Sequence, residues 1–219
     1  LAVFDLSKSG FLEVNFFDVG QGDAIFIKTP EGHQILIDGS PTSIILEKLG
    51  NEMPFWDRTI DLVVLTHPEK DHLQGLLPVL KRYKVENILW TGIVRDTAEY
   101  QEWQRLIREE ENKEGANIEI AKAGQKITCS RISTPEVEED SFFSTPTKAS
   151  VVDYCHINIL YPFEALEGQN FKNSNNTSII LRLSFGNNSF LFTGDAQKSV
   201  EKELLEKGIA LDSDVLKVG

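Results

Sequence analysis

The chain has 219 residues, 41% hydrophobic and 26% charged, the balance of a soluble globular protein with core enough for one large domain or two small ones, which excludes wholesale disorder. Its 22 basic and 34 acidic side chains give a net charge of −12, which disfavours broad nucleic-acid binding unless a local basic patch or bound metal ions supply positive charge. No apolar run approaches the length of a membrane-spanning helix.

Phe11 to Asp18 reads as a strand, followed by the glycine-punctuated turn Gly20-Gln21-Gly22-Asp23 and a second strand from Ala24 to Lys28. After Pro30-Glu31-Gly32, a third strand runs from Gln34 to Ile37 and ends at Asp38-Gly39, so the first unit reads as an antiparallel meander at the edge of a larger sheet. Ser40-Pro41 signals a helix start, and Ile44, Ile45 and Leu49 make a short amphipathic helix with Gly50 as its stop. Asp61 to Thr66 is a continuously apolar strand of the type covered on both faces. A helix from Leu76 to Tyr83 and a strand from Val85 to Trp90 complete a β–loop–α–β unit, which predicts layered sheet and helix. Thr97 to Lys113 reads as a helix ended by Gly115, with Trp103, Leu106 and Ile107 on one stripe and a solvated charged face opposite.

Residues 133–150, with the acidic patch Glu136 to Asp140, read as a mobile insertion. A strand is expected at Ile157 to Tyr161, then an Asn-rich loop from Gly168 to Asn176. Ser178 to Ser184 and Ser189 to Thr193 form a hairpin around Gly186-Asn187-Asn188. A helix from Ala196 to Lys207 stops at Gly208, and Val215 to Val218 begins another strand. Cys129 and Cys155 form no CxxC pair, so the expected state is two buried free thiols, with a single bridge as the alternative. The apolar start Leu1-Ala2-Val3-Phe4, without Met, fits the tail of a removed signal or anchor segment.

The chemistry concentrates at Thr66-His67-Pro68-Glu69-Lys70-Asp71-His72. This loop leaves the end of a buried strand, where α/β proteins build their sites. His67, Glu69, Asp71 and His72 offer imidazole and carboxylate ligands suited to zinc, manganese or iron. A solvated polar turn with a capping carboxylate is the plainer reading of one His–Glu pair, but the whole cluster at a strand end favours a metal. Asp38 and Asp195 each follow a strand too, and each alone reads as a helix cap. Together with the histidine loop they suggest convergence on one site. Gly20-Gln21-Gly22-Asp23 lacks the helix start of a phosphate cradle and reads as a tight turn close to that site. His33 reads as a surface residue and His156 as structural.

These words resemble the metallo-β-lactamase fold superfamily, whose HxHxDH loop follows a buried strand, and especially the hydrolase-like domain of ComEC-type competence proteins and their stand-alone relatives. The likeness is carried by Phe17-Asp18-Val19-Gly20-Gln21-Gly22-Asp23-Ala24, Leu36-Ile37-Asp38-Gly39, Thr66-His67 through Asp71-His72, Asn175-Asn176-Thr177-Ser178 and Thr193-Gly194-Asp195. It spans nearly the whole chain in order. Glu69 stands where the motif has its second histidine, which makes manganese as acceptable as zinc. Leu216-Lys217-Val218-Gly219 is similar to the strand leading to that branch's His-His-Gly-Ser.

The resemblance implies one four-layered αββα sandwich over residues 1–219, an α/β (α+β) fold incomplete at its C-terminus. It implies two divalent metal ions, Zn or Mn, with His67, Glu69 and Asp195 on one and Asp71, His72 and Asp195 on the other. Asp38 would orient the ligand loop, Asn176 and Ser178 would line the substrate, and His67 and Asp71 would be central to catalysis. The implied activity is a phosphodiesterase or nuclease in which metal-bound hydroxide attacks DNA. The alternatives are hydrolysis of a small ester or lactone, or a catalytically degenerate metal-binding module partnered with a membrane channel or anchor. The implied setting is bacterial and extracytoplasmic, tethered or exported, with a cytoplasmic one as the alternative.

Overall fold

The computed structural model describes residues 11–129 and 155–219; the expected insertion at 133–150 and the apolar beginning at Leu1 lie outside them. Strands β1 (Glu13–Phe16), β2 (Ile25–Lys28), β3 (Gln34–Ile37), β4 (Thr59–Leu65), β5 (Lys84–Trp90) and β6 (Asn117–Ile120) form one sheet in chain order. The first three strands pair antiparallel and β3 through β6 pair parallel, so the expected edge meander continues into a parallel sheet. The second sheet runs β11 (Val215–Lys217), β10 (Asn188–Phe192), β9 (Ile180–Phe185), β8 (Cys155–Tyr161) and β7 (Lys126–Thr128), antiparallel except for the β10–β11 pair.

Alternation along β4 builds two of the layers. Val63 and Leu65 point to a core shared with helices α1 (Ile44–Glu52), α3 (Leu76–Leu80) and α4 (Ala98–Glu109), whose largest member, Trp103, is fully buried. Leu62 and Val64 point the other way, into a core between the sheets with Ile157, Ile159, Leu181 and Leu183. The outer face of the second sheet, through Ile180 and Leu191, packs on Val200 and Leu204 of α5 (Lys198–Glu206). The result is the expected αββα sandwich. Among the described residues, no helix is long and apolar enough to cross a membrane.

Several local expectations change. Gly50 does not stop α1, which runs on to Glu52 and turns at the extended, buried Met53. Burying Leu49 and Met53 outweighs the glycine penalty of about 1 kcal/mol. Ser40 caps nothing: it sits at φ 71, its hydroxyl donates to the Thr42 carbonyl, and the helix begins after Ser43. The helix expected to Lys113 is α4 plus a π-helical turn at Glu110–Glu114, closed by Gly115 in the left-handed region. The Thr97 side chain caps α4 by accepting the Tyr100 N–H at 3.2 Å.

The two cysteines are not free thiols. Cys129 follows β7 and Cys155 opens β8, the neighbouring antiparallel strand, so the pairing holds their Cα atoms 5.0 Å apart and a disulfide joins them. Spacing along the chain hid this proximity, because β7 itself (Lys-Ile-Thr) is too short to show a pattern.

Candidate metal centre

Four of the expected residues meet where the two sheets approach each other. The Ile179 N–H, just before β9, donates to the Thr66 carbonyl, just after β4, at 3.0 Å. This links the histidine loop to the second sheet. The loop itself turns into α2 (Lys70–Leu73), a single turn that swings His72 back under His67, their ring centroids 4.2 Å apart.

Asp38 is the hub. It is fully buried and sits at φ 58, a left-handed conformation that Asp tolerates better than most residues. Oδ1 accepts the Thr66 N–H at 2.8 Å, and Oδ2 accepts the Thr66 hydroxyl at 2.6 Å and His72 Nδ1 at 2.8 Å. Since the Thr66 hydroxyl spends its proton on Asp38, its oxygen accepts from His67 Nδ1 at 3.1 Å. One carboxylate thus directs both imidazoles, His72 directly and His67 through Thr66, and both Nε2 atoms are turned the other way. Both are buried and without a hydrogen-bond partner.

Asp195 closes the group. It follows β10 and Gly194, its N–H donates to the Ser178 hydroxyl at 3.2 Å, and its Oδ1 lies 3.5 Å from His72 Nε2. Ligand atoms of His67, His72 and Asp195 all fall within 4.8 Å of one another. Asp23, Asp38 and His72 form a second group within the same limit, with Asp23 held by Lys217 Nζ at 2.7 Å.

The electrostatics follow from burial and these contacts. Burial opposes charge on His72, but the carboxylates of Asp38 and Asp195 outweigh it and push its pKa up to about 11. Burial, reinforced by the charge on His72, pushes His67 down to about 3, and Arg95 adds to this. The His72 imidazole, 3.5 Å away, holds Asp195 below the usual carboxylate range, and burial pushes Asp38 up. A divalent cation, which binds unprotonated imidazole nitrogen, would take the place of the proton that Asp38 and Asp195 hold on His72.

Glu69 and Asp71 are not in either group. The Glu69 carboxylate accepts from Arg95 Nη2 at 2.6 Å and from the Ser174 hydroxyl. Asp71 contributes main chain: Gly22, at φ +74, packs so tightly on the ligand loop that a Cβ there would lie 1.9 Å from the Asp71 carbonyl oxygen. The glycine turn is therefore beside the site, as its sequence implied. Ser178 is fully buried and supports Asp195, whereas the Asn176 side-chain oxygen accepts from Ser199 on α5. His33 is half-buried against Asp61, its Nδ1 2.9 Å from Oδ1, and His156 lies within β8.

Thr66, Arg95, Ser174 and Lys217 also bear on the site, and none of them has an individual role expected from the sequence. Thr66 was adjacent to the motif and its hydroxyl was the available signal. Arg95 and Ser174 carried none, being fixed by tertiary contacts alone. A cavity of about 570 Å³ lies elsewhere, lined by Asp61, Glu86, Glu119 and Lys126 among others, and shares no residue with the cluster.

No protein-family model matches the chain. It is 27% identical over 232 aligned residues to ComE operon protein 3 of Bacillus subtilis, an alignment covering 98% of the chain and 26% of that protein. The chain thus spans about a quarter of the length of this relative. Among solved structures it is similar to MEM-A1, a subclass B3 metallo-β-lactamase from a soil metagenome library, with a TM-score of 0.51, 14% identity, and coverage of 96% of the chain and 77% of that protein. It is likewise similar to the Rm3 metallo-β-lactamase, with a TM-score of 0.52, 11% identity, and coverage of 94% and 74%.

Proposed function

We propose that this chain, which has the metallo-β-lactamase fold and resembles the ComEC-type branch of that superfamily, is a metal-dependent hydrolase of phosphodiesters, with DNA as its substrate class. The observation that carries the proposal is the pair of buried, unpartnered Nε2 atoms on His67 and His72, aimed with the Asp195 carboxylate at one small space. Burying polar atoms without partners costs roughly 1–3 kcal/mol each. A group that supplies those partners is the simplest reason for the arrangement.

His67, His72 and Asp195 would hold the cation, zinc or manganese, and Asp38 with Thr66 would hold the imidazoles in the ligating tautomer. Such a cation, when bound, supplies Lewis-acid activation of water and of a phosphoryl oxygen. The residues' own work is orientation and charge. Asp38 keeps the Nδ1 protons, Ser178 steadies the Asp195 main chain, and the buried walls exclude bulk water. Glu69 and Asp71 enter this reading as neighbours of the cluster, and metal stoichiometry tests a second cation beside them. The name of the Bacillus relative supports a role beside a competence system. The Cys129–Cys155 bridge supports an oxidising, extracytoplasmic setting, where a membrane channel or anchor is the proposed partner.

The test is hydrolysis of bis(p-nitrophenyl) phosphate and of single- and double-stranded DNA with Mn²⁺ or Zn²⁺, beside p-nitrophenyl acetate and a chromogenic β-lactam. Metal-dependent cleavage of the phosphodiesters, lost in His67→Ala and Asp195→Ala together with bound metal, is the expected result. Hydrolysis confined to the ester or lactam would replace the substrate assignment. No metal binding by the native chain would remove the reading altogether.

A further inference from the structure

We propose that Lys70, Lys172 and Lys198 form a basic rim beside the metal centre that holds the flanking phosphates of a nucleic-acid strand. The inference rests on the phosphodiesterase reading and narrows its substrate class to a strand rather than an isolated diester.

The three lysines come from segments far apart in sequence that the fold ties together. Lys70 lies between His67 and His72 in the chain and begins α2. The neighbouring Glu69 carboxylate accepts from the Ser174 hydroxyl, which joins the histidine loop to the Asn-rich loop carrying Lys172. Next along that loop, Asn173 Nδ2 donates to Gln197 Oε1 at 2.8 Å, and the Ser199 hydroxyl donates to Asn176 Oδ1 at 3.2 Å. Those two bonds fasten the Asn-rich loop to the start of α5, where Gln197 and Ser199 flank Lys198. Asp195 of the ligand cluster is just upstream. The lysines therefore stand along one continuous seam that borders the metal centre.

All three are exposed, and among the described residues none of their ammonium groups has an ion pair or hydrogen bond. The other cations at this edge are committed, Arg95 to Glu69 and Lys217 to Asp23. Of the acids in the same segments, Glu69 has Arg95 as its counter-charge and Asp195 belongs to the ligand cluster. Asp71 is a ligand by the family resemblance, and Glu201 shares the first turn of α5 without bridging to Lys198. The lysine charge is thus left for something outside the chain. Lys198 is also the first residue of α5, where the positive helix end disfavours a cation by about 0.3–1 kcal/mol. An anion lying there offsets both charges. Lysine is a flexible point charge that suits successive phosphates without reading sequence. In a chain of charge −12, such a local group of unpaired lysines is what lets a polyanion approach a hydrolytic centre.

The probe is a fluorescein-labelled oligothymidylate, its binding read by anisotropy over a range of NaCl, with the chain loaded with Mn²⁺ or Zn²⁺ and with metal removed. Lys70→Gln, the Lys172→Gln/Lys198→Gln pair and the triple variant are compared with the native chain. The control is Lys84→Gln/Lys113→Gln/Lys126→Gln, the same change in net charge placed away from the seam. Each rim lysine removed should lessen the salt slope of log K by about 0.7 and weaken binding about fivefold at roughly 0.1 M salt. KM for the oligonucleotide should rise accordingly, while metal content and kcat/KM for bis(p-nitrophenyl) phosphate stay native. An unchanged slope in the Lys172/Lys198 pair, which leaves the histidine loop intact, would overturn the rim. So would an equal loss in the control, or loss of metal and of small-diester turnover in the rim variants. Native binding to phosphatidylglycerol vesicles with none to the oligonucleotide would overturn the strand as its ligand. A native chain that binds the strand through these lysines but cleaves no phosphodiester would fail the proposed function alone, leaving the rim as a polyanion surface.

Discussion

Replacing Asp38 by Asn tests how the site is held, because it alters one proton's place and almost nothing of the shape. Oδ1 can stay on the Thr66 N–H, but the amide nitrogen then replaces the oxygen that accepts from the Thr66 hydroxyl and from His72 Nδ1. A donor now faces two donors. The cheapest relief is for His72 to surrender its Nδ1 proton and carry one on Nε2, the atom that faces His67 and Asp195. That protonated nitrogen has no lone pair for a cation. Loss of such an orienting partner typically weakens metal binding 10–100-fold, or about 1.4–2.7 kcal/mol. Stability should fall less than in Asp38→Ala, which strands three buried donors at roughly 1–3 kcal/mol each. The assay is equilibrium dialysis with Mn²⁺ and Zn²⁺, with ¹⁵N shifts of the His72 ring reporting the tautomer. A folded Asp38→Asn chain that binds metal as tightly as the native one, its proton still on Nδ1, would refute the hub.

Three further outcomes follow from the packing. Gly22→Ala should cost more than about 2 kcal/mol in urea denaturation and lower activity together, because main chain must move and the left-handed φ adds roughly 1 kcal/mol; near-native stability would mean the close approach to Asp71 is not obligatory. The Cys129→Ser/Cys155→Ser pair removes a covalent loop of 26 residues in sequence, worth about 3.5 kcal/mol by chain entropy, and two titratable thiols in the native denatured chain would contradict the bridge. Glu110 is buried, which raises its carboxyl pKa, while its Oε2 accepts the Val85 N–H at 3.1 Å. The folded chain therefore holds this proton more tightly than the unfolded one: its ionised form costs stability at neutral pH, and the cost disappears as pH falls below the folded pKa. Glu110→Gln keeps an acceptor and should raise the melting temperature at pH 7 but not at low pH; equal effects at both would exclude the charge as the cause.

What could be read from the residues, and what could not, divides along one physical line. Asp38, His67 and Asp195 were visible because each stands just past the end of an apolar strand, and His72 because it shares the loop and single turn that follow β4; strand ends of packed sheets fall on one edge of the sandwich. The layers were legible for the same reason, through the alternation of Leu62 and Val64 against Val63 and Leu65. Of the short elements, β2 and β3 were marked by the glycine turns beside them, whereas β6, β7 and α2, of three or four residues, had neither a period nor such a turn to mark them. The ligand grouping was open for a subtler reason. Motif spacing says which side chains share a loop, but the contacts Glu69 makes depend on what the neighbouring strand delivers. Here β5 lies parallel to β4 and brings Arg95 alongside, while the chain returns 105 residues later with Ser174. Both of these contacts fall on one carboxylate oxygen, Oε1. The partners of a ligand loop, and not its spelling, therefore decide which of its donors are free to bind.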